Sequence, residues 1–266
     1  MTIAGSDPGG GAGLQADLKT FAALRVYGFS VITAVIAQNS AELARLDPVD
    51  PSLVAAQLET VVAERRPDSL KTGALASAAI VDTVVDAIRV LRLPAPVVDP
   101  VMLSSSGARL LDPRGEQMMR ERLLPLARIV TPNIPEAEVL SGLAIDGPAS
   151  MRAAARAIRR IGARAVVIKG GHPFTREAGA GLTRTTKSVD LYYDGRSFAE
   201  LSGARIPGGG AHGTGCAFAA AIAAWLARGV ELEAAVRRAK SFVARALRNG
   251  FALGAGRTLL DHFARK

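Results

Sequence analysis

A single thiol follows a cluster of glycines in the last third of the sequence. The stretch GGGAHGTGC ends in Cys216, the chain's only cysteine, and leads into an alanine-rich run that predicts a helix over 213–228. The first backbone N–H groups of a helix have no partner inside it, and together with the helix dipole they bind anions. We therefore expect Gly213, Thr214 and Gly215 to form an anion site.

The position of Cys216 at this helix start allows two interpretations. A lone cysteine is most often a small apolar side chain of the core. At a helix N-terminus it is instead placed to take a proton from a substrate hydroxyl, with its thiol pKa lowered by the dipole. The glycines around Cys216 favour the second interpretation.

An anion site that transfers phosphoryl groups needs a cation and acidic groups nearby, because catalysis there depends on positioning and electrostatics. Lys169 stands before two glycines at a predicted strand end and can supply the cation. Asp99 and Glu136 can hold Mg²⁺, directly or through water. Each also has an ordinary explanation, as a surface lysine, a strand-terminal turn residue and a helix N-terminal acid. Glu136 is the least specific, because the prolines around it already indicate a helix start.

A glycine-rich loop, GSDPGGGAG, covers residues 5–13 between a predicted strand and a predicted helix. It lacks the Gly-Lys-Ser/Thr ending of a Walker A loop, and Leu14 occupies the last glycine position of the dinucleotide fingerprint. A nicotinamide cofactor is therefore only weakly indicated. The loop could be a simple tight turn, but its glycines allow the backbone to approach a ligand closely.

These residues must be positioned by the elements around them, and the sequence alternates between short strand patterns and longer helix patterns. β-branched and apolar runs predict strands at 2–4, 31–37, 69–73, 96–101, 128–133 and 164–171. Apolar residues spaced by three and four predict helices at 14–24, 51–66, 149–162, 213–228 and 231–248. The alternation predicts one α/β domain over 1–266, with a doubly wound, mostly parallel sheet between two helix layers.

Most polar candidates follow the predicted strands. Polar or glycine residues end six of these strands, at 5–7, 38–39, 71–73, 99, 131–133 and 169–171. Each ending alone is an ordinary turn signal, but parallel strands bring their carboxyl ends to one edge, where ligands bind. Two strand patterns at 187–195 and 196–206 surround an Asp-Gly turn and predict an antiparallel edge hairpin. We expect 172–186 to be a loop that closes over a nucleotide.

The composition limits the class of protein. The 266 residues are 49% hydrophobic and 21% charged, and no apolar run approaches the roughly 18 residues of a membrane span. The opening MTIAGSDPGG does not resemble a signal peptide, so a cytoplasmic location without membrane contact is expected. The net charge of +9 is spread over solvated helix faces without a nucleic-acid motif, which favours phosphorylated small molecules over DNA or RNA as partners. One cysteine and three separated histidines indicate neither a disulfide nor a zinc site.

Eight ordered motifs between residue 2 and about residue 248 carry a resemblance to a known family. They are GSDPGGGAGLQADLKTF, ITAVIAQN, VVDPVM, TPNIPEAEVL, IKGGH, LYYDG, HGTGC and AKSFV. The chain resembles the hydroxymethylpyrimidine/phosphomethylpyrimidine kinases of thiamine biosynthesis, members of the ribokinase-like superfamily. The resemblance implies ATP-dependent phosphorylation of 4-amino-5-hydroxymethyl-2-methylpyrimidine and then of its monophosphate, with ATP and Mg²⁺ bound and a homodimer as the assembly.

The resemblance also implies roles for individual residues. Cys216 takes the place of the catalytic base, with the backbone of 213–216 as the anion hole. Asp17 and Gln38 match positions that hydrogen-bond the aminopyrimidine, within a substrate pocket that also includes Gly5, Ala12, Ala74 and Val101. The positions that match the nucleotide and metal sites are Lys169, Asn133 and Lys240 for ATP and Asp99 and Glu136 for Mg²⁺.

One departure from the family pattern leaves alternatives open. The family commonly has KIGM where this chain has KTGA, so Ala74 replaces a methionine expected against the substrate ring and implies a wider pocket. A pyridoxal or pyridoxine kinase of the same superfamily is therefore the alternative activity. A non-catalytic pyrimidine-binding protein is the alternative from another class.

Overall fold

The computed structural model describes residues 1–39, 42–104, 107–170, 187–204, 206, 211–253 and 257–264. The strands are β1 (Thr2–Ser6), β2 (Ser30–Gln38), β3 (Leu43–Pro48), β4 (Lys71–Thr72), β5 (Val97–Val98), β6 (Ile129–Val130), β7 (Val166–Ile168), β8 (Lys187–Tyr193), β9 (Phe198–Ala204), β10 (Phe251–Ala252) and β11 (Thr258–Leu259). The helices are α1 (Gly13–Ala23), α2 (Pro51–Glu64), α3 (Ala78–Val90), α4 (Pro113–Met118), α5 (Ile134–Ser141), α6 (Pro148–Ile161), α7 (Thr214–Ala227) and α8 (Leu232–Arg248). None of these helices has both the length and the apolar character that a bilayer crossing requires.

Nine strands form one sheet in the order β3-β2-β1-β4-β5-β6-β7-β8-β9. The pairs from β2 through β1 and β4 to β7 are all parallel. The chain builds outward from β1 to β2 and β3, and then returns to the other side of β1 with β4. A crevice for a ligand is expected at this reversal, outside the carboxyl ends of β1 and β4. The predicted doubly wound, mostly parallel sheet is confirmed.

Both edges of the sheet are antiparallel. The predicted hairpin is β8 and β9, and its turn is held by Asp194, whose carboxylate accepts hydrogen bonds from the backbone N–H groups of Arg196 and Ser197 at 2.7 Å each. Gly195 takes the left-handed conformation in this turn, with φ of +97°. The opposite edge strand, β3, was not predicted, because LARLDP lacks a clear alternation of apolar and polar residues. The small β10–β11 pair was not predicted either.

Apolar side chains on both faces of the sheet hold the three layers together. Val98, Val130 and Val166 pack with the layer that contains α2, α3, α5 and α6. Val97 and Ile129, their neighbours in sequence, point to the opposite face and pack with α1, α7 and α8. Successive residues of a strand alternate between faces, so continuous apolar strands of this kind require helices on both sides.

The residues at the first turn of a helix explain where it begins and which of its N–H groups are capped. Asp50 accepts a hydrogen bond from the Ser52 N–H, and Pro51 occupies the first turn of α2. The start of α7 differs, because its N-cap is Gly213 with φ of +80° and no side chain among the described residues caps the first N–H groups. Uncapped N–H groups of this kind are the donors that bind anions at a helix start. The proposed closing loop at 172–186 lies outside the described residues.

Candidate active site

Asp7 organises the glycine loop after β1. Its carboxylate accepts hydrogen bonds from the backbone N–H of Gly9 at 2.9 Å and of Ala12 at 2.7 Å, and from Nε2 of His212 at 3.2 Å. The Gln38 side chain also donates to it. Burial would raise the pKa of Asp7, but the four hydrogen bonds together outweigh burial and lower it to about 2. Sequence reasoning noted only that Asp7 ends a strand and missed this role.

The glycine loop packs directly against the start of α7. A Cβ added to Gly213 would lie 1.8 Å from the carbonyl oxygen of Gly11. A Cβ added to Gly11 would lie 2.8 Å from Cδ2 of His212. Only glycine permits these approaches, so the loop and the anion site predicted from the sequence are parts of one structure.

Lys169 and Asp99 lie at this same helix start. Lys169 Nζ is 3.0 Å from Asp99 Oδ1, and Thr131 donates its hydroxyl to that oxygen at 3.2 Å. A Cβ added to Gly215 would lie 3.1 Å from Lys169 Nζ and 3.6 Å from Asp99 Oδ2. Burial would lower the pKa of Lys169, but Asp99 and then Glu136 raise it overall, so the ammonium stays charged. A cation and a carboxylate thus stand beside N–H groups that favour an anion.

Asn133 and Glu136 cap α5 at the carboxyl end of β6. Glu136 Oε2 accepts the Asn133 N–H at 2.8 Å, and Asn133 Oδ1 accepts the Glu136 N–H at 2.9 Å. Burial raises the pKa of Glu136 to about 7. The charge of Lys169 opposes this rise, and the charge of Asp99 adds to it. Asn133 forms a parallel bridge with Lys169, so both predicted nucleotide-side residues meet at neighbouring strand ends.

The expected lowering of the thiol pKa is wrong. Cys216 lies in the first turn of α7, as predicted, but burial raises the pKa of its thiol to about 11. Lys71 opposes the rise, whereas Asp17 and Asp99 add to it. Burial, together with the charges of Asp17 and Asp99, therefore outweighs the charge of Lys71. In the free protein at neutral pH, Cys216 is a thiol.

Asp17 and Lys71 form an ion pair beneath the site. Lys71 Nζ lies 2.8 Å from Asp17 Oδ2, and neither side chain is exposed. Thr2 donates its hydroxyl to the same carboxylate oxygen at 2.6 Å, while Asp17 Oδ1 is buried and has no hydrogen-bond partner in the described part of the chain. The predicted contact of Asp17 with a substrate ring stays a prediction. Sequence reasoning missed Lys71 as a charged group of the site and recorded it only as part of a strand end.

The remaining predicted pocket residues lie at or near the ends of β1, β4 and β5, and their contact with a substrate stays a prediction. A Cβ added to Gly5 would lie 3.7 Å from Cβ of Ala74. A Cβ added to Gly213 would lie 3.2 Å from Cα of Ala12. Val101 follows Asp99 and donates its N–H to the Asp99 carbonyl at 2.8 Å.

Lys240, by contrast, pairs with another acid. Its Nζ lies 2.8 Å from Asp190 Oδ2, and Asp190 Oδ1 accepts the Gly170 N–H at 3.0 Å. Lys240 therefore supports the backbone next to Lys169. Its predicted contact with the nucleotide stays a prediction.

The acidic residues fit a magnesium ion that phosphates help to bind. Within the described ranges, no group of three or more His, Cys, Asp or Glu side chains could hold a metal by itself. Mg²⁺ usually needs only one or two carboxylates when phosphate oxygens and waters supply the other ligands. The charges of Asp99 and Glu136 both raise the pKa of Lys169, so both acids lie near its ammonium. Asp99 Oδ2 also faces Gly215. The two acids therefore suit a magnesium ion whose other ligands are phosphate oxygens and waters.

Known proteins share both the sequence and the fold. The profile of the family described as phosphomethylpyrimidine kinase matches residues 7–261. The hydroxymethylpyrimidine/phosphomethylpyrimidine kinase of Synechococcus elongatus is 44% identical over 99% of this chain and 96% of its own length. The thiamine biosynthesis bifunctional protein ThiED of Geobacter sulfurreducens is 44% identical over 98% of this chain, which spans 51% of that protein.

A solved structure has the same architecture. The pyridoxal kinase from Staphylococcus aureus in complex with AMP-PCP and pyridoxal matches with a TM-score of 0.85 and 38% identity, covering 99% of this chain and 92% of that one. The predicted ribokinase-like fold is confirmed. Because the family profile matches most of its length and a full-length relative is 44% identical, the chain belongs to the phosphomethylpyrimidine kinase family.

Proposed function

We propose that this chain transfers the γ-phosphoryl group of ATP to 4-amino-5-hydroxymethyl-2-methylpyrimidine, and then a second group to the monophosphate. The observation that carries the proposal is the meeting of Cys216, Lys169 and Asp99 at the uncapped start of α7. The names of the relatives support the substrate.

In this proposal, the reactive form of Cys216 is its thiolate, formed when the thiol loses its proton to solvent, and the thiolate accepts the proton of the hydroxymethyl group. The hydroxymethyl oxygen then forms a bond to the γ-phosphorus while the bond to the ADP oxygen breaks and ADP leaves with the electron pair. The N–H groups of 213–216 and the ammonium of Lys169 stabilise the charge on the transferred group. Asp99 and Glu136 would hold Mg²⁺, which would supply further positive charge for the phosphates.

Around the ring, Gln38 supplies polar contacts, and Gly5, Ala12, Ala74 and Val101 supply the walls. Ala74 is small, and the likeness to a pyridoxal kinase favours pyridoxal as a second candidate substrate. We also expect a homodimer.

Replacement of Cys216 by alanine tests the assignment. We expect Cys216→Ala to lower kcat by about 10²–10⁴-fold, the usual contribution of a general base, while the dissociation constant for the pyrimidine changes little. Turnover is measured by coupled ADP release and binding by calorimetry. A variant with undiminished kcat would remove Cys216 from the chemistry, and a wild-type protein that binds the ring without turnover would be a binding protein.

A further inference from the structure

Asp190 is a carboxylate of β8 that is only 7% exposed and binds groups on two neighbouring elements. Its Oδ1 accepts a hydrogen bond from the backbone N–H of Gly170 at 3.0 Å, and its Oδ2 lies 2.8 Å from Nζ of Lys240 on α8. The same Nζ donates to the carbonyl oxygen of Ser188 at 3.4 Å. Both carboxylate oxygens are therefore engaged, and charge-assisted contacts of this kind fix the orientation of a side chain.

The hydrogen bond to Gly170 extends the contact between β7 and β8 beyond their paired residues. The last paired residues of these two antiparallel strands are Ile168 and Leu191. Gly170 then passes so close to β8 that a Cβ on it would lie 1.8 Å from the carbonyl oxygen of Val189, an approach that only glycine permits. The Asp190 side chain thus holds the chain just past the carboxyl end of β7.

Lys169 lies between this contact and the anion site. On the β6 side, its backbone N–H donates to the Pro132 carbonyl at 2.8 Å. On the β8 side, the next N–H along the chain is the one that Asp190 accepts. The Lys169 ammonium lies 3.0 Å from Asp99 and 3.1 Å from a Cβ added to Gly215 in the first turn of α7. The place of that ammonium therefore depends on contacts at both sides of the strand end.

We propose that Asp190 is a positioning residue, which Lys240 orients and which places the Lys169 ammonium against the nucleotide phosphates by holding Gly170. The inference rests on the proposed function and assigns the Asp190–Lys240 pair to the support of the nucleotide site. A group that acts on a bound ligand must be held within about 0.5 Å of its productive position. In this assignment Lys240 acts through Asp190, and neither side chain needs to touch the nucleotide.

The same contacts would also exist if the pair only joined α8 to the β8–β9 hairpin. An ion pair with that role would change nucleotide binding to the same extent whether or not Lys169 is present. A positioning role, by contrast, has an effect only while the lysine is there to be placed. A double-variant cycle separates the two roles, because residues that act through each other have non-additive effects.

The test measures the dissociation constant of the ATP analogue Mg-AMP-PCP by calorimetry. The proteins are the wild-type chain, Asp190→Ala, Lys169→Met and the double variant. We expect Asp190→Ala to weaken binding about tenfold in the presence of Lys169, the effect of one charge-assisted hydrogen bond. In the Lys169→Met background the same change should weaken binding by about twofold at most. An equal loss in both backgrounds would overturn the proposal.

Glu200→Ala is the matched control for removal of a paired carboxylate. Glu200 lies on β9 of the same hairpin and pairs with Arg152 of α6 at 2.9 Å. This variant should bind Mg-AMP-PCP as tightly as the wild-type chain does. A loss equal to that of Asp190→Ala would show a general effect of the hairpin and overturn the proposal.

Asp190→Asn decides the question even if Asp190→Ala fails to fold. Asparagine keeps an oxygen for the Gly170 N–H but has no charge to pair with Lys240. We expect this variant to weaken Mg-AMP-PCP binding by about threefold, again only in the presence of Lys169. A loss that is the same in the Lys169→Met background would overturn the proposal.

Binding measurements keep this test separate from turnover. A wild-type chain that binds Mg-AMP-PCP but phosphorylates nothing would overturn the kinase proposal, while the cycle would still decide the role of Asp190. A wild-type chain that does not bind Mg-AMP-PCP would overturn both.

Discussion

The thiol of Cys216 is the residue whose chemistry depends most on its surroundings. Burial holds its pKa at about 11, and Lys71 limits the rise. The thiolate is the stronger base, and its fraction grows with pH below the pKa. We therefore expect kcat/KM for the pyrimidine, which reports the free enzyme, to rise by about tenfold per pH unit between pH 7 and 9. A flat profile over this range, measured at saturating Mg-ATP, would show that proton transfer to Cys216 does not limit the reaction.

The buried pair of Lys71 and Asp17 leads to a prediction about stability. Removal of one partner of a fully buried ion pair leaves an unpaired charge, and Lys71→Met is expected to cost about 3–5 kcal/mol in the free energy of unfolding. The double variant Lys71→Met/Asp17→Asn should recover part of that loss, because no unpaired charge remains. Urea unfolding of both proteins gives the comparison. A loss below about 1 kcal/mol for the single variant would contradict the buried pair.

Among individual residues, the sequence predicts the site residues that stand in local motifs. Cys216, Lys169 and Asp99 stand next to glycines or at strand ends, and the structure brings them together. The pair of Asp17 and Lys71 was not foreseen as a pair because 54 positions separate the two residues. The predicted lowering of the Cys216 pKa was wrong for a related reason, since burial depends on tertiary packing that a local motif does not reveal.

At the scale of elements, the contact between the glycine loop and α7 depends on Gly213. A methyl group there would meet the Gly11 carbonyl at 1.8 Å, in addition to the strain of a left-handed backbone. We expect Gly213→Ala to displace the loop and abolish measurable turnover. Gly229→Ala is the matched control, because Gly229 has a similar φ of +75° and open space around it. The control should lose only about 1–2 kcal/mol in the free energy of unfolding and should retain activity. Equal activity of the two variants would contradict a functional contact between the glycine loop and the start of α7.

The start of α5 predicts a pH dependence of stability. The pKa of Glu136 in the folded protein, about 7, lies above its ordinary value of 4.5, so the folded state binds this proton more tightly than the unfolded state. The contribution of Glu136 to stability therefore falls as pH rises from about 4.5 to about 7.

Replacement by glutamine keeps an oxygen that can accept the Asn133 N–H but removes the buried charge. Glu136→Gln should raise the melting temperature relative to wild type at pH 8, by about 2–4 °C for each kcal/mol gained in the free energy of unfolding. The increase should be smaller at pH 5. Thermal unfolding without Mg²⁺ at both pH values measures this difference. An equal shift at the two pH values would contradict a charge effect.

The whole molecule shows which parts of the fold the sequence could predict. Strands β1, β2 and β4 to β7 were located from short runs of β-branched and apolar residues, and their parallel pairing follows from the helices between them. The hairpin of β8 and β9 was located from its Asp-Gly turn. Edge strand β3 is held mainly by its pairing with β2, and its exposed charges, Arg45 and Asp47, do not mark a strand.

Ligand binding should stabilise the folded molecule as a whole. At a concentration about 100 times its dissociation constant, Mg-ATP is expected to add about 2.7 kcal/mol to the free energy of unfolding. NADH should cause no shift, because the glycine loop lacks the dinucleotide fingerprint. Differential scanning fluorimetry with each nucleotide compares the two. A shift with NADH and none with Mg-ATP would contradict the nucleotide assignment.

The most direct test of the proposed kinase activity is a Mg-ATP turnover assay with product masses read directly. Hydroxymethylpyrimidine, its monophosphate and pyridoxal are offered in parallel. We predict the pyrimidine mono- and diphosphates as products, with pyridoxal phosphorylated less efficiently. Phosphorylation of pyridoxal alone would contradict the proposed substrate, and the absence of any product would contradict the proposed kinase activity itself.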